Sequence, residues 1–216
     1  MPVLDWLQIN GPTYMGAFGW TAVIAVVASI ASILWGCALL LIRIRGRRWG
    51  DRMVDSYVQL FRNTPVLLWI YFIYFGFPLI GFTWPAIICG GLALVLQNGA
   101  YVSEILRAGL KAVDRVQFDA AKSIGLSSWQ TFIKVILPQV LVFSIPSLGN
   151  QVVLLLKDTS LLSAISVAEL TMQAKLLTEQ TGAAYQAFAV VAVLYLVLAT
   201  GVETLTRLAH WRVRWR

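Results

Sequence analysis

Between Asp5 and Arg43 the chain carries no charged residue, and the stretch from Gly16 to Ile44 is almost wholly apolar. Roughly 20 apolar residues in a helix cross the hydrocarbon core of a bilayer, which is about 30 Å thick. A run this long therefore predicts a membrane-spanning helix. Four further apolar segments follow, at Thr64–Gly81, Trp84–Leu106, Ser128–Leu156 and Ala184–Leu208. The second is short for a span, and Pro138 and Pro146 interrupt the fourth. The expectation is an all-α integral membrane fold with five transmembrane helices. Composition agrees: 59% of the 216 residues are hydrophobic and only 12% charged, where a soluble domain carries about a quarter. No segment is long and polar enough for a second domain, so residues 1–216 read as one membrane unit. Met1-Pro-Val-Leu-Asp5 lacks the basic region of a cleaved leader, which makes the first span an expected uncleaved signal anchor.

The net charge of +7 points to nucleic acid only if its place in the sequence is ignored. Arg43, Arg45, Arg47, Arg48 and Arg52 follow the first span. Arg107, Lys111, Arg115, Lys122 and Lys134 lie between the third and fourth. Arg207, Arg212, Arg214 and Arg216 follow the fifth. With an odd number of spans and the N-terminus outside, all three sets fall on the cytoplasmic face, as the positive-inside rule requires. Lys157 and Lys175 are left for the far side or the membrane interior. Cys37 and Cys89 sit inside apolar runs and read as small core residues, neither a disulfide nor a metal pair. His210, set among arginines, reads as an interfacial basic residue. Trp20, Trp35, Trp69 and Trp84 fit interfacial belts or lipid-facing packing, and Gly90-Gly91 fits close helix packing.

Two segments are helical without being spans. From Gly50 to Asn63, polar Asp51, Arg52, Asp55, Gln59 and Arg62 alternate with Met53, Val54, Tyr57, Val58, Leu60 and Phe61. That is the pattern of an amphipathic interfacial helix, and Thr64-Pro65 ends it. Between the third and fourth spans, residues 114–128 form a polar insert. Asp114 with Gln117 three residues on suggests a capping box. Val116, Ala120, Ala121 and Ile124 make a small apolar stripe, Gly125 supplies a stop, and Ser127 or Ser128 caps the next helix. By local physics alone this is either an ordinary helical hairpin or a surface that a partner approaches closely.

The pattern Asp119-Ala-Ala121, Gly125 and then Ile136-Leu-Pro138 resembles the EAA loop of ABC importer permeases, with Asp119 in place of the usual Glu. Phe61-Arg-Asn-Thr-Pro65 with Phe72-Ile-Tyr-Phe-Gly76, Asn98-Gly-Ala-Tyr-Val102 with Glu104, and Leu156-Lys-Asp-Thr-Ser-Leu161 are similar to motifs of the polar amino-acid branch of that family. Asn63 departs from the branch's usual Gly, and Val113-Asp-Arg-Val-Gln117 from its usual Pro and Gly. The resemblance implies a short cytoplasmic coupling helix seated in a groove of a separate ATPase, with Asp119, Ala120, Ala121, Gly125 and Ser128 at the contact. It also implies a second permease subunit (a copy or a relative), an extracytoplasmic solute-binding protein, a polar amino acid as solute, and the bacterial inner membrane as location. ATP and Mg belong to the partner, since this chain has no Gly-x4-Gly-Lys-Ser/Thr phosphate loop.

Ionisable groups inside a bilayer are costly and are functional candidates for that reason. Gln97, Tyr101, Glu104 and Ala108 share a helix face, with Asn98 at its edge. Lys157, Asp158, Thr159 and Ser160 end the fourth span, after two prolines expected to have bent or frayed it, and Ser163 and Glu169 lie further out. Such groups suit a zwitterion: its ammonium to Asp158 or Glu104, its carboxylate to Lys157, Thr159 or free N–H groups. Two structural readings stand beside this: a Lys157–Asp158 pair or interface marker, and a Glu104–Arg107 helix ion pair. Glutamate, glutamine, histidine, arginine and cystine all stay open as solutes. An intramembrane enzyme lacks a Gly-x-Ser-x-Gly elbow, a His-Glu-x-x-His pair or an acidic dyad. An ion-driven carrier or channel leaves the insert unexplained.

Overall fold

A computed structural model describes residues 3–44 and 48–214, and they are helical with short connections. Met1, Pro2, Arg45, Arg47 and Arg216 lie outside the described residues. Helix α1 runs Val3–Ile44, starting well before Gly16 and passing through Pro12. The uncharged run already reaches back to Trp6, and the helix continues through Pro12.

Helix α2 (Arg48–Arg62) is the amphipathic element, burying Val54, Val58 and Phe61. Helix α3 (Val66–Tyr71) follows, continued by a π turn at Phe72–Gly76 and a 3-10 turn at Phe77–Ile80. The axes of Arg48–Arg62 and Val66–Ile80 differ by 100°. Pro65 fixes the break, and the loose carbonyls there have partners. Thr64 Oγ1 donates to Leu60 O (2.8 Å), and Gln97 Nε2 donates to Phe61 O (3.0 Å) and Thr64 O (2.8 Å). Among the described residues, four helices are long and apolar enough to cross a membrane, at Asn10–Ile44, Ala86–Ala112, Ser128–Ile165 and Ala184–Arg212. The expected second span completes five only as this bent pair.

Helix α4 (Ala86–Ala112) is central, packed between α1 and α7 and touching α2 and α3. Small residues allow the approach to α1. A Cβ on Gly36 would stand 2.4 Å from Val102 Cγ1, and one on Gly99 2.4 Å from Trp35 Cδ1. Of the Gly90-Gly91 pair, only Gly90 meets a neighbour, Leu162, while Gly91 faces open space.

The insert folds as α5 (Arg115–Ser123) and α6 (Ser128–Thr131), and a π turn at Phe132–Ile136 leads into α7 (Leu137–Asp158). The span stays helical through both prolines. Pro138 lies just after the π turn at Phe132–Ile136, and the helix continues through Pro146. It narrows only at Thr159–Ile165, to 3-10. An unforeseen helix α8 (Leu170–Thr181) precedes α9 (Ala184–Arg214), which packs on α7 and α8.

One core cluster sits between α1, α3, α4 and the end of α7, around Ile70, Leu94, Leu156 and Leu162. A second joins α1, α8 and α9 through Tyr14, Leu170, Ala174 and Ala187. A third, with Val102, Leu106, Ile136 and Val140, anchors the insert end. Cys89 is buried and Cys37 half-buried, both as free thiols. Trp20, Trp35 and Trp84 are exposed as expected, while Trp69 is half-buried. Trp35 Nε1 donates to Tyr57 Oη (2.8 Å) and Trp69 stacks on Phe61 (4.3 Å).

Candidate functional site

The insert is a preformed, exposed knob. Asp114 caps α5 by accepting from Val116 N (3.0 Å). The reciprocal box lies one helix later than expected. Ser127 Oγ accepts from Gln130 N (3.3 Å), and Gln130 Oε1 accepts from Ser127 N (3.0 Å), so Ser127 is the cap and Ser128 opens the helix. Gly125 takes φ +81, the left-handed stop between α5 and α6. Val116, Ala120 and Ile124 form an exposed ridge at four-residue spacing, beside exposed Asp119, Gly125, Ser128 and Trp129. Ala121 departs from the predicted stripe: it is 3% exposed and faces its own chain.

The candidate solute residues divide into two places. Tyr101, Glu104 and Ala108 of α4 line an open groove of about 480 Å³ against α7, with Arg62 from the end of α2 and Ser147 and Gln151 from α7. The guanidinium of Arg62 lies 5.2 Å over the Tyr101 ring, a cation–π contact. Tyr101 Oη donates to Arg62 O (3.3 Å). Glu104 is already engaged: Arg43 Nη2 reaches Oε1 at 3.0 Å and Arg107 Nη2 reaches Oε2 at 2.7 Å. Arg43 also pairs with Asp55 at 2.5 Å. The predicted Glu104–Arg107 pair is therefore one link of a chain joining α1, α2 and α4. Asn98 stands behind the groove, 2% exposed, donating to Leu94 O (2.9 Å) and accepting from Gln151 Nε2 (2.6 Å). Arg43 and Arg62 were read from the sequence only as interfacial basic residues, and Gln151, inside the apolar fourth span, was not singled out; the fold brings them together.

Lys157, Asp158, Thr159 and Ser163 gather elsewhere, where α7 narrows. Lys157 is exposed and Asp158 half-buried, and among the described residues they form no ion pair with each other. Thr159 and Ser163 are buried, and Lys175 Nζ donates to Ser163 Oγ (2.9 Å). Glu169, fully buried, caps α8 by accepting from Thr171 N and Met172 N, both at 2.8 Å. Tyr195 Oη of α9 donates to the same carboxylate (2.7 Å). Burial pushes the Glu169 carboxyl up, and these donors pull against that shift. His210 lines a separate groove of about 200 Å³ between α7 and α9, beside the Glu203–Arg207 pair. Among the described residues no His, Cys, Asp and Glu cluster is arranged to hold a metal.

Residues 28–215 match the model of a family described as "Binding-protein-dependent transport system inner membrane component". The chain is 35% identical over 179 residues to a probable amino-acid ABC transporter permease protein of Sinorhizobium fredii, covering 83% of this chain and 77% of the relative. It is 34% identical over 189 residues to a probable glutamine ABC transporter permease protein of Bacillus subtilis, covering 88% of each. Among solved structures, one titled "Crystal structure of an amino acid ABC transporter with histidines" superposes with a TM-score of 0.90 at 29% identity, covering 98% of this chain and 99% of that one.

Proposed function

The chain belongs to the family of binding-protein-dependent transport system inner membrane components, and on that premise we propose that it imports a polar amino acid through the groove between α4 and α7. It is a multi-pass permease subunit of an ABC importer. It is not itself an enzyme: a separate ABC ATPase hydrolyses ATP. A solute-binding protein delivers the solute at the outer face, and a second permease subunit supplies the other half of the pathway. The N-terminus lies outside and the C-terminus in the cytoplasm.

The observation that carries this reading is the exposed, doubly capped insert between two spans, on the side where the basic residues collect. Coupling runs through Asp119, Ala120, Gly125 and Ser128 on that knob, with Ala121 holding it to the bundle from within. In the groove Glu104 is neutralised by two arginines, which leaves the Arg62 guanidinium and the Gln151 amide facing the solute with Tyr101. A cation and an amide carbonyl match the carboxylate and ammonium of an α-amino acid. Asn98 orients Gln151 from behind. Lys157, Asp158, Thr159 and Ser163 form the outer part of the path.

The test is ATP hydrolysis by the chain co-purified with its ATPase, with and without Gly125→Trp. A Cβ at Gly125 meets nothing within 4 Å, so the variant acts through the left-handed backbone and the contact surface and not through core packing. The expected result is an ATPase that is retained and active with the native loop, and lost or silent with the variant. Hydrolysis indifferent to the loop returns the reading to a carrier or channel.

A further inference from the structure

The polar groups at the outer end of α7 contain more acceptors than protons. Tyr195 Oη has one proton and gives it to Glu169 at 2.7 Å. Its contacts with Thr171 Oγ1 (3.4 Å) and Thr159 Oγ1 (3.5 Å) can form only if the threonines donate. Thr159 also has one proton, and it is committed to Leu156 O at 2.7 Å. The two bonds open to Thr159 are therefore mutually exclusive. Bonded to Leu156 O, its hydroxyl satisfies a carbonyl of the last turn of α7. Bonded to Tyr195, it ties the junction between α7 and the 3-10 segment to the cap of α8.

The place of this junction gives the choice a consequence. Thr159 follows Lys157 and Asp158 directly, and the 3-10 segment that it opens ends at Ser166, a non-glycine residue at φ 60. Beyond it Glu169 begins α8, whose first N–H, from Leu170, is held by Thr21 of α1 (3.1 Å). Exposed Lys175 and Glu179 place the rest of α8 at the surface. Tyr195 thus stands between an outer-surface helix and the residue that follows Asp158.

We infer that Thr159 is a two-position hydroxyl switch, and that Tyr195 and Thr159 are positioning residues that couple α8 to the Lys157–Asp158 segment during the transport cycle. The structure holds the state bonded to Leu156. The other state, bonded to Tyr195, is visited when α8 and the segment move together. A ligand or partner that binds the two states differently shifts the choice. This rests on the importer reading above.

The test is ATP hydrolysis by the chain co-purified with its ATPase in nanodiscs, for Tyr195→Phe, Thr159→Val, the double variant and Thr159→Ser. Tyr195→Phe and Thr159→Val both remove the Thr159–Tyr195 contact and keep the packing shape, the first also removing the bond to Glu169 and the second the bond to Leu156 O. Each is expected to slow hydrolysis about fivefold, the factor that one net hydrogen bond is worth. The double variant is expected to slow it by less than the product of the two single losses, and Thr159→Ser, which keeps the hydroxyl, to slow it less than Thr159→Val does. A merely structural role would give losses that add in the double variant. Additive losses, single variants at the unmodified rate, or a Thr159→Ser as slow as Thr159→Val overturn the switch. An unmodified chain that retains no ATPase instead removes the importer reading on which it rests.

Discussion

Arg43 shows how one residue can organise a membrane protein's polar interior. Its side chain is 8% exposed and serves both Asp55 and Glu104, while Arg107, 38% exposed, reaches only Glu104. Removing one partner of a buried pair costs about 3 kcal/mol, because the charge left behind is neither solvated nor paired. Removing a surface partner costs under about 1 kcal/mol. Arg43→Ala is therefore expected to lower the thermal unfolding midpoint in detergent far more than Arg107→Ala. Similar midpoints for the two would show that Glu104 gains nothing from being tied to α1 and α2. Gln97 is the uncharged counterpart. Its two donated bonds hold the α2–α3 corner, so its place on the face shared with Tyr101 reflects backbone satisfaction and not solute contact.

Elements were legible to the extent that their signals are local. The amphipathic α2, the α5–turn–α6 insert and four of the five apolar runs follow from hydropathy, periodicity and Gly125 and form, and the second run makes a span only as a pair with α2 bent by 100°. Where two local signals competed, geometry decided. Asp114 and Ser127 each precede a Gln by three residues, but only Ser127 and Gln130 close the reciprocal box, while Asp114 bonds two residues ahead instead. Helix α8 was missed because Leu170–Thr181 alternates polar and apolar residues without a long hydrophobic run. Its cap, Glu169, is buried and depends in part on Tyr195, 26 residues away. The α4–α7 groove was half legible, since Tyr101 and Glu104 share a face by spacing while Arg62 and Gln151 come from other helices. Close packing yields an element-scale prediction. Because a Cβ on Gly99 would stand 2.4 Å from Trp35 and that indole is tied to Tyr57, Gly99→Ala is expected to destabilise the α1–α4 contact by about 1–3 kcal/mol. Gly91→Ala, facing open space on the same helix, is expected to be neutral or slightly stabilising. Equal unfolding midpoints for the two variants would show that the Trp35 side chain yields freely.

At the scale of the whole molecule, the charge distribution makes a claim that no single helix makes. Arg43, Arg48 and Arg52, then Arg107, Lys111, Arg115, Lys122 and Lys134, then Arg207 and Arg212, belong to three separate stretches of sequence. In the fold the first two stretches meet, because the Arg43–Glu104–Arg107 chain binds the end of α1 to the same end of α4. The third follows α9, which runs from α8 alongside α7. The opposite end carries Lys157 and Lys175 against Asp158, Glu169 and Glu179, close to neutral. A membrane that retains cations at its cytoplasmic side holds such a molecule in one orientation. This is testable with single cysteines in a chain where Cys37 and Cys89 are replaced by Ala. A cysteine in place of exposed Glu179 on α8 is expected to react with a membrane-impermeant maleimide in intact cells. One in place of exposed Lys122 on the insert is expected to react only after permeabilisation. The reverse pattern would put the insert outside. It would then be beyond the reach of any cytoplasmic ATPase, and the coupling reading would fall together with the orientation.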